Sequence, residues 1–234
     1  MLFSDRTGGV STPPFATANV GFGRGDDPER VAENRRRVGS ALGGRAADPA
    51  VWTCLRQVHG ATVHVVDGRS AGGHDHGIPP ADAVVTSDPE AVLAILTADC
   101  GPVALVAPGV LGAVHAGWRG VAAGVLESAA ARIRERARGP VQAVLGPCVR
   151  PCCYEFSPAD LEPIAARLGP EVVGRTSTGG PALDLPRAIA AALSAAGVYE
   201  VTDLGICTAC SADHFSHRRD GRTGLQAMLV AGTG

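Results

Sequence analysis

The stretch from Ala91 to Ala137, AVLAILTADCGPVALVAPGVLGAVHAGWRGVAAGVLESAAARIRERA, decides the fold class. Ala91–Thr97 is a short, wholly apolar run with the character of a buried strand. Val103–Ala107 and Leu111–His115 are two more, and Pro108-Gly109 between them suits the turn of a hairpin. From Val121 to Ala137 the period changes. Val121, Val125, Leu126, Ala129 and Ile133 fall on one helical face, while Arg132, Arg134, Glu135 and Arg136 fall mostly elsewhere. Strands followed by an amphipathic helix predict a mixed α+β domain.

The same signals extend in both directions. Towards the N-terminus, Trp52–His59 and Ala61–Val66 read as two strands joined at Gly60, with His64 on the solvent side of the alternation. Ala81–Thr86 is a further short strand. Asp26-Asp27-Pro28 opens a helix, since acids and an early proline suit its dipole and its unpaired amides. That helix is expected to carry Val31, Asn34 and Val38 and to end near Gly39 or Gly43-Gly44. The residues before it, up to Asn19, are expected to run over the surface. Towards the C-terminus, Val141–Leu145, Leu204–Cys207 and Ala227–Val230 read as strands. Ser157-Pro158 and Asp184 open two helices, the second closed by Gly197. Gly68–Pro80 reads as a solvated loop that includes His74-Asp75-His76. No internal repeat or long linker appears, so residues 1–234 are read as a single domain.

Composition narrows the function. Hydrophobic residues make up 45% and charged residues 19%, with a net charge of -2. That excludes a disordered acidic protein and a generic basic nucleic-acid binder. No apolar run reaches the ~18 residues of a membrane helix, and the first residues lack the layout of a secretory signal. A soluble, cytoplasmic protein without nucleic-acid or membrane partners is expected. All 21 basic residues are arginine, and alanine and glycine are abundant; this pattern fits a GC-rich genome. The seven cysteines are an odd number without a secretory signal, which argues against a disulfide framework.

Three segments place a metal-competent side chain at the end of an apolar strand: Gln57-Val58-His59-Gly60, Ala98-Asp99-Cys100-Gly101 and His115-Ala116-Gly117-Trp118-Arg119-Gly120. Zinc at catalytic sites takes three such ligands and keeps a fourth position for water or substrate. His59, Cys100 and His115 fit that set. They also fit a cysteine hydrolase with Cys100 as nucleophile and one histidine as base. Arg119 lies just before the expected helix, whose N-terminus favours an anion. Cys207-Thr-Ala-Cys210 followed by His214 and His217 has the look of a second zinc motif, but its Cys-to-His loop is far shorter than the ~12 residues of an ordinary finger. Cys148, Cys152 and Cys153 read as a turn carrying thiols.

These segments resemble the YfiH-like proteins, also called the laccase-domain or purine nucleoside phosphorylase family, which includes the peptidoglycan editing factor. The resemblance rests on the three segments above and on Pro14-Phe15, Gly25-Asp26-Asp27, Asn34-Arg35 and Ala81-Asp82-Ala83. It continues through Gly146-Pro147-Cys148, Tyr154-Glu155, Cys207-Thr208, Phe215-Ser216 and Arg218-Arg219. It implies an α+β fold of mixed sheets packed together and flanked by helices. It also implies a metal site of His59, Cys100 and His115, holding Zn2+ or alternatively Cu2+. The implied reactions are phosphorolysis of adenosine, inosine and methylthioadenosine, and deamination of adenosine; copper-dependent phenol oxidation and cell-wall editing are also attributed to the family. The expected partners are small molecules, a purine nucleoside and phosphate. Two departures stand out: Leu225 where the family usually carries arginine, and His214-Phe215-Ser216-His217 where it often carries aromatics.

Within that frame, Arg56 and Arg119 are the candidates for holding phosphate. Asp82, Asp99 and Glu155 are candidates for acid–base help or for orienting a ligand histidine. The alternatives are a cysteine-type amidohydrolase on a cell-wall precursor, a zinc-stabilised binding protein, and a copper-dependent polyphenol oxidase. One Cys-His-His set is few ligands for a multicopper centre.

Overall fold

The computed structural model describes residues 1–66 and 80–232. The expected loop at His74-Asp75-His76 lies outside them. Two sheets form the frame. One has four strands in the order β1 (Leu2–Phe3), β12 (Gln226–Ala231), β5 (Val92–Thr97) and β2 (Trp52–Cys54). The other has six, in the order β11 (Glu200–Asp203), β8 (Gln142–Leu145), β6 (Gly101–Ala107), β7 (Val110–Ala116), β4 (Ala83–Thr86) and β3 (Val63–Val66). The pairs β2–β5, β3–β4 and β8–β11 are parallel and the rest antiparallel, so both sheets are mixed.

Side-chain alternation explains the layering. On β5, Leu93 and Ile95 join the core between the two sheets, together with Val84, Ala104, Ala113 and Met228. Val92 and Ala94 turn the other way, onto Trp52, Val38 and Leu229 beneath α1 (Pro28–Leu42). On β6, Val103 and Leu105 face the largest cluster, which α3 (Val125–Arg134) and α5 (Leu185–Ala195) cover with Leu126, Ile133, Ile189 and Leu193. The sheets therefore pack face to face, with α1 on one outer surface and α2 to α5 on the other, where α2 is Trp118–Ala123 and α4 is Pro158–Leu168. The expected packed, helix-flanked mixed sheets are present.

The expected caps are present too. Asp27, Ser157 and Asp184 accept backbone amides at the starts of α1, α4 and α5. Several expectations need correction. The helix expected over Val121–Ala137 is two, because Gly124 adopts the left-handed conformation at φ 91 and its amide closes α2 on Gly120 and Val121. The strand expected over Leu204–Cys207 lies instead at Glu200–Asp203. The chain turns at Gly205, whose amide bonds to Asp203, and Cys207 keeps only a bridge to Cys148. The opening segment runs over the surface only in part: Met1, Thr7, Gly8 and residues 12–14 are exposed, while Ser11, Phe15, Ala18 and Asn19 are buried. The hairpin of β9 (Val173–Arg175) with β10 (Pro181–Leu183) and the short α6 (His217–Asp220) had no counterpart in the sequence reading.

The strand expected over Trp52–His59 stops at Cys54, and the reason positions the site. The Gln57 side chain takes over strand pairing: its amide donates to the Leu96 carbonyl at 2.8 Å and accepts the Leu96 amide at 3.0 Å. The chain then leaves the four-stranded sheet and enters the six-stranded one at β3. It crosses in the same direction a second time between β5 and β6, through Ala98-Asp99-Cys100.

Candidate metal centre and cleft

His59 sits on the first crossing and Cys100 on the second, while His115 is the penultimate residue of β7. The backbone takes positive φ at both crossings, 61° at His59 and 101° at Asp99. Two carboxylates hold these conformations. Asp82, fully buried, accepts the amides of Val58 at 3.1 Å, His59 at 2.8 Å and Gly60 at 2.7 Å. It also accepts Nδ1–H of the buried His115 at 2.8 Å, so one side chain sets the His59 turn and the His115 ring. Asp99 accepts the Thr208 hydroxyl and the Arg218 amide, each at 2.6 Å, and its carbonyl takes the Val149 amide at 2.8 Å.

The result brings His59, Cys100 and His115 together, with ligand atoms within 4.8 Å of one another. Nε2 of His59 is 3.7 Å from the Cys100 sulfur, and the two imidazoles meet edge to face at 4.8 Å between centroids. Gly117 makes room: a Cβ there would lie 2.8 Å from the His59 ring and 3.1 Å from the Cys100 sulfur.

Electrostatics favour a ligating thiolate. Burial would push the Cys100 thiol up, but hydrogen bonds from His115 and His59 bring it down to about 6. Burial opposes charge on His115 as well, yet Asp82 and Cys100 raise it to about 9. Asp82 resists its own burial through hydrogen bonds from His115, Gly60 and His59, which hold it below the usual carboxylate range. The donor set of two imidazoles and one thiolate suits zinc or copper. The Asp82 bond to Nδ1 leaves Nε2 of His115 to ligate, the common second partner of a metal-bound histidine.

This trio lines a cleft of about 1150 Å³. Arg56 and Arg119 line it, and so do Arg24, Arg218 and Arg222. Asp99 is the one acid on the described lining, and both its oxygens are engaged. Phe22, Trp118 and Tyr154 add aromatic surface. Arg119 stacks on Trp118 at 4.5 Å and Arg218 on Tyr154 at 5.0 Å. Glu155 is exposed, pairs with Ala182 in a β-bridge and does not line the cleft. Leu225 and His217, the two departures from the family pattern, both line it. Trp118, Tyr154 and Arg218 stood inside recognisable segments, but Arg24 and Arg222 had no distinguishing signal in a chain whose every basic residue is arginine.

Residues 1–232 match the model of a family described as multi-copper polyphenol oxidoreductase laccase. A Streptomyces coelicolor protein named purine nucleoside phosphorylase is 42% identical, over 97% of this chain and 93% of its own length. A Corynebacterium glutamicum protein of the same name is 36% identical, over 98% and 92%. The crystal structure of YlmD from Geobacillus stearothermophilus superposes with a TM-score of 0.89 at 35% identity, covering 99% of this chain and 91% of that one. Bacillus licheniformis YfiH, titled a hypothetical protein, does so with 0.90 at 29%, with the same coverage.

Proposed function

The chain belongs to this laccase-like, YfiH-type family, and from that premise we propose a metal-dependent purine nucleoside phosphorylase, with adenosine deamination as a second activity. The single observation that carries the reading is the combination of an arginine-lined, aromatic-walled cleft with a His59–Cys100–His115 donor set on its surface. Arginines supply forked donors for phosphate, and aromatic faces supply stacking for a purine. The ion, most simply zinc, supplies Lewis acidity when bound.

Phosphorolysis forms a bond from a phosphate oxygen to C1′ of the ribose and breaks the bond from C1′ to the purine nitrogen. Arg119 and Arg56 bind and orient the phosphate; Trp118 and Tyr154 hold the base and exclude water. Asp82 keeps His115 and His59 in place, and Asp99 positions Cys100. Adenosine, inosine and methylthioadenosine are the proposed substrates, with Leu225 and His217 shaping the preference among them. The whole chain acts as one unit, in the cytoplasm where such substrates occur. No helix among the described residues is long and apolar enough to cross a membrane. An oxidase built on several coppers has little support: among the described residues the donor groups are this trio and a set of four cysteines.

The test is product analysis of metal-replete protein given adenosine with and without phosphate, beside His59→Ala and Cys100→Ala. Adenine formed only with phosphate and absent from both variants supports phosphorolysis at this centre; inosine formed without phosphate supports deamination. The absence of both products overturns the reading.

One observation favours a second reading. Cys100, His115 and Asp82 are linked in the order of a nucleophile, base and orienting carboxylate, with the thiol brought down to about 6. That suits an amidohydrolase acting on a peptidoglycan precursor. Such an activity survives chelation and is lost on alkylation of Cys100, whereas the metal-dependent reaction is lost on chelation.

A further inference from the structure

Four cysteines that the cleft does not use converge from two distant segments. Cys152 and Cys153 stand on the short 3-10 turn Pro151–Cys153, and Cys207 and Cys210 on the loop after β11. The sulfurs lie within 4.8 Å of one another. Cys152 is 3.7 Å from Cys207 and 3.6 Å from Cys210, and Cys153 is 3.3 Å from Cys210. A tetrahedral ion with bonds of about 2.3 Å to each thiolate spaces its sulfurs about 3.8 Å apart. We propose that Cys152, Cys153, Cys207 and Cys210 bind a second metal ion, a structural tetrathiolate zinc, separate from the cleft.

The backbone on both arms is fixed without the ion. The Cys153 amide bonds to the Arg150 carbonyl and the Cys152 carbonyl accepts the Ser177 amide, each at 3.0 Å. On the other arm the Cys207 carbonyl accepts the Ser211 amide at 2.9 Å, and the Arg219 guanidinium donates to the carbonyls of Thr208 at 3.0 Å and Ser211 at 2.6 Å. An Arg150–Asp203 ion pair and the Cys148–Cys207 bridge tie the arms together. The histidines that follow Cys210 in sequence are not part of the set: His214 bonds to the Ser211 hydroxyl through Nδ1 at 2.9 Å, and His217 faces the cleft. Two disulfides, Cys152–Cys207 and Cys153–Cys210, would also use all four sulfurs, so the thiol count of the protein separates that outcome from a bound ion.

The site bears on the cleft through the chain. Tyr154, which follows Cys153, lines the cleft, and Thr208, which follows Cys207, bonds to Asp99 beside Cys100. An ion here would cross-link the two segments that carry that wall.

The experiment uses the Cys100→Ala protein, purified from zinc-supplemented cells, so that the cleft site is disabled while all four cysteines remain. Elemental analysis is expected to find one zinc per chain, and X-ray absorption at the zinc edge an all-sulfur shell at about 2.3 Å. Adding Cys207→Ser and Cys210→Ser is expected to remove that zinc, and chelation to lower the melting temperature of Cys100→Ala but not of the triple variant. Zinc-free Cys100→Ala protein, a shell containing nitrogen, or disulfides found by thiol titration of the freshly purified wild type would each overturn the proposal. None of these readouts depends on nucleoside turnover.

Discussion

Asp82 and His115 share a buried hydrogen bond of 2.8 Å, and the same carboxylate holds the turn that presents His59. One residue outside the donor set therefore fixes two of its three members. Asp82→Asn keeps the shape but places a donor where acceptors are needed. Metal affinity should fall about 10–100-fold, as for other partners of ligand histidines. Competition against a chelator reads this out, and an unchanged Kd would remove Asp82 from the role.

Gly117→Ala tests the closeness of the centre. Its backbone, at φ -74, admits alanine, but the new Cβ meets the His59 ring and the Cys100 sulfur. The variant should melt within a few degrees of the wild type yet bind metal at least ~10-fold more weakly, the scale on which misplaced ligands cost affinity. Equal losses in both measures would point to general misfolding instead.

The pH dependence of the metal-free protein follows from the thiolate–imidazolium pair. Folding lowers the Cys100 pKa to about 6, so the stability gained from its thiolate fades as pH falls through about 6. Folding raises that of His115 to about 9, so the gain from its imidazolium fades as pH rises through about 9. Between these limits one gain grows as the other fades, so the melting temperature of chelated protein should be nearly level there. The rate of Cys100 alkylation should titrate near the lower one and move upward in His115→Gln. A thiol that titrates in the ordinary range in both proteins contradicts the pairing.

Arg119 stacks on Trp118 on the lining of the cleft. Arg119→Ala should raise the phosphate KM severalfold or more while leaving phosphate-independent deamination close to wild type, since one arginine–oxyanion contact is worth about 1.5–3 kcal/mol. Steady-state kinetics of both reactions decide it; matching losses would sink the phosphate assignment.

Asn34 anchors the opening segment to α1. It is fully buried, accepts the Val10 amide at 2.9 Å, and donates to the Ser11 hydroxyl and the Asn19 carbonyl, each at 2.8 Å. Asn34→Ala leaves those groups without their partner, at about 1–3 kcal/mol for each buried group unsatisfied. Urea unfolding should show a loss of about 3 kcal/mol or more. A loss below about 1 kcal/mol would mean that water or neighbouring groups take over the bonds.

Much of this protein was legible in its sequence because the signals are local. The apolar runs Ala91–Thr97 and Val103–Ala107, the apolar helical face within Val121–Ala137 and the caps at Asp27, Ser157 and Asp184 each depend on a few adjacent residues and on the backbone's own periods. The three metal-competent residues were visible as the side chains of the QVHG, ADCG and HAGWRG segments, although only His115 stands in a strand; β2 stops at Cys54 and β5 at Thr97. What only the tertiary structure decided was convergence. Arg24 and Arg222 become cleft residues, Asp82 becomes the shared clamp, and Cys207-x-x-Cys210 finds Cys152 and Cys153 instead of the histidines beside it. Those relations arise where the chain crosses between two sheets, and a crossing joins residues by the stacking of layers, which no short-range pattern along the chain encodes.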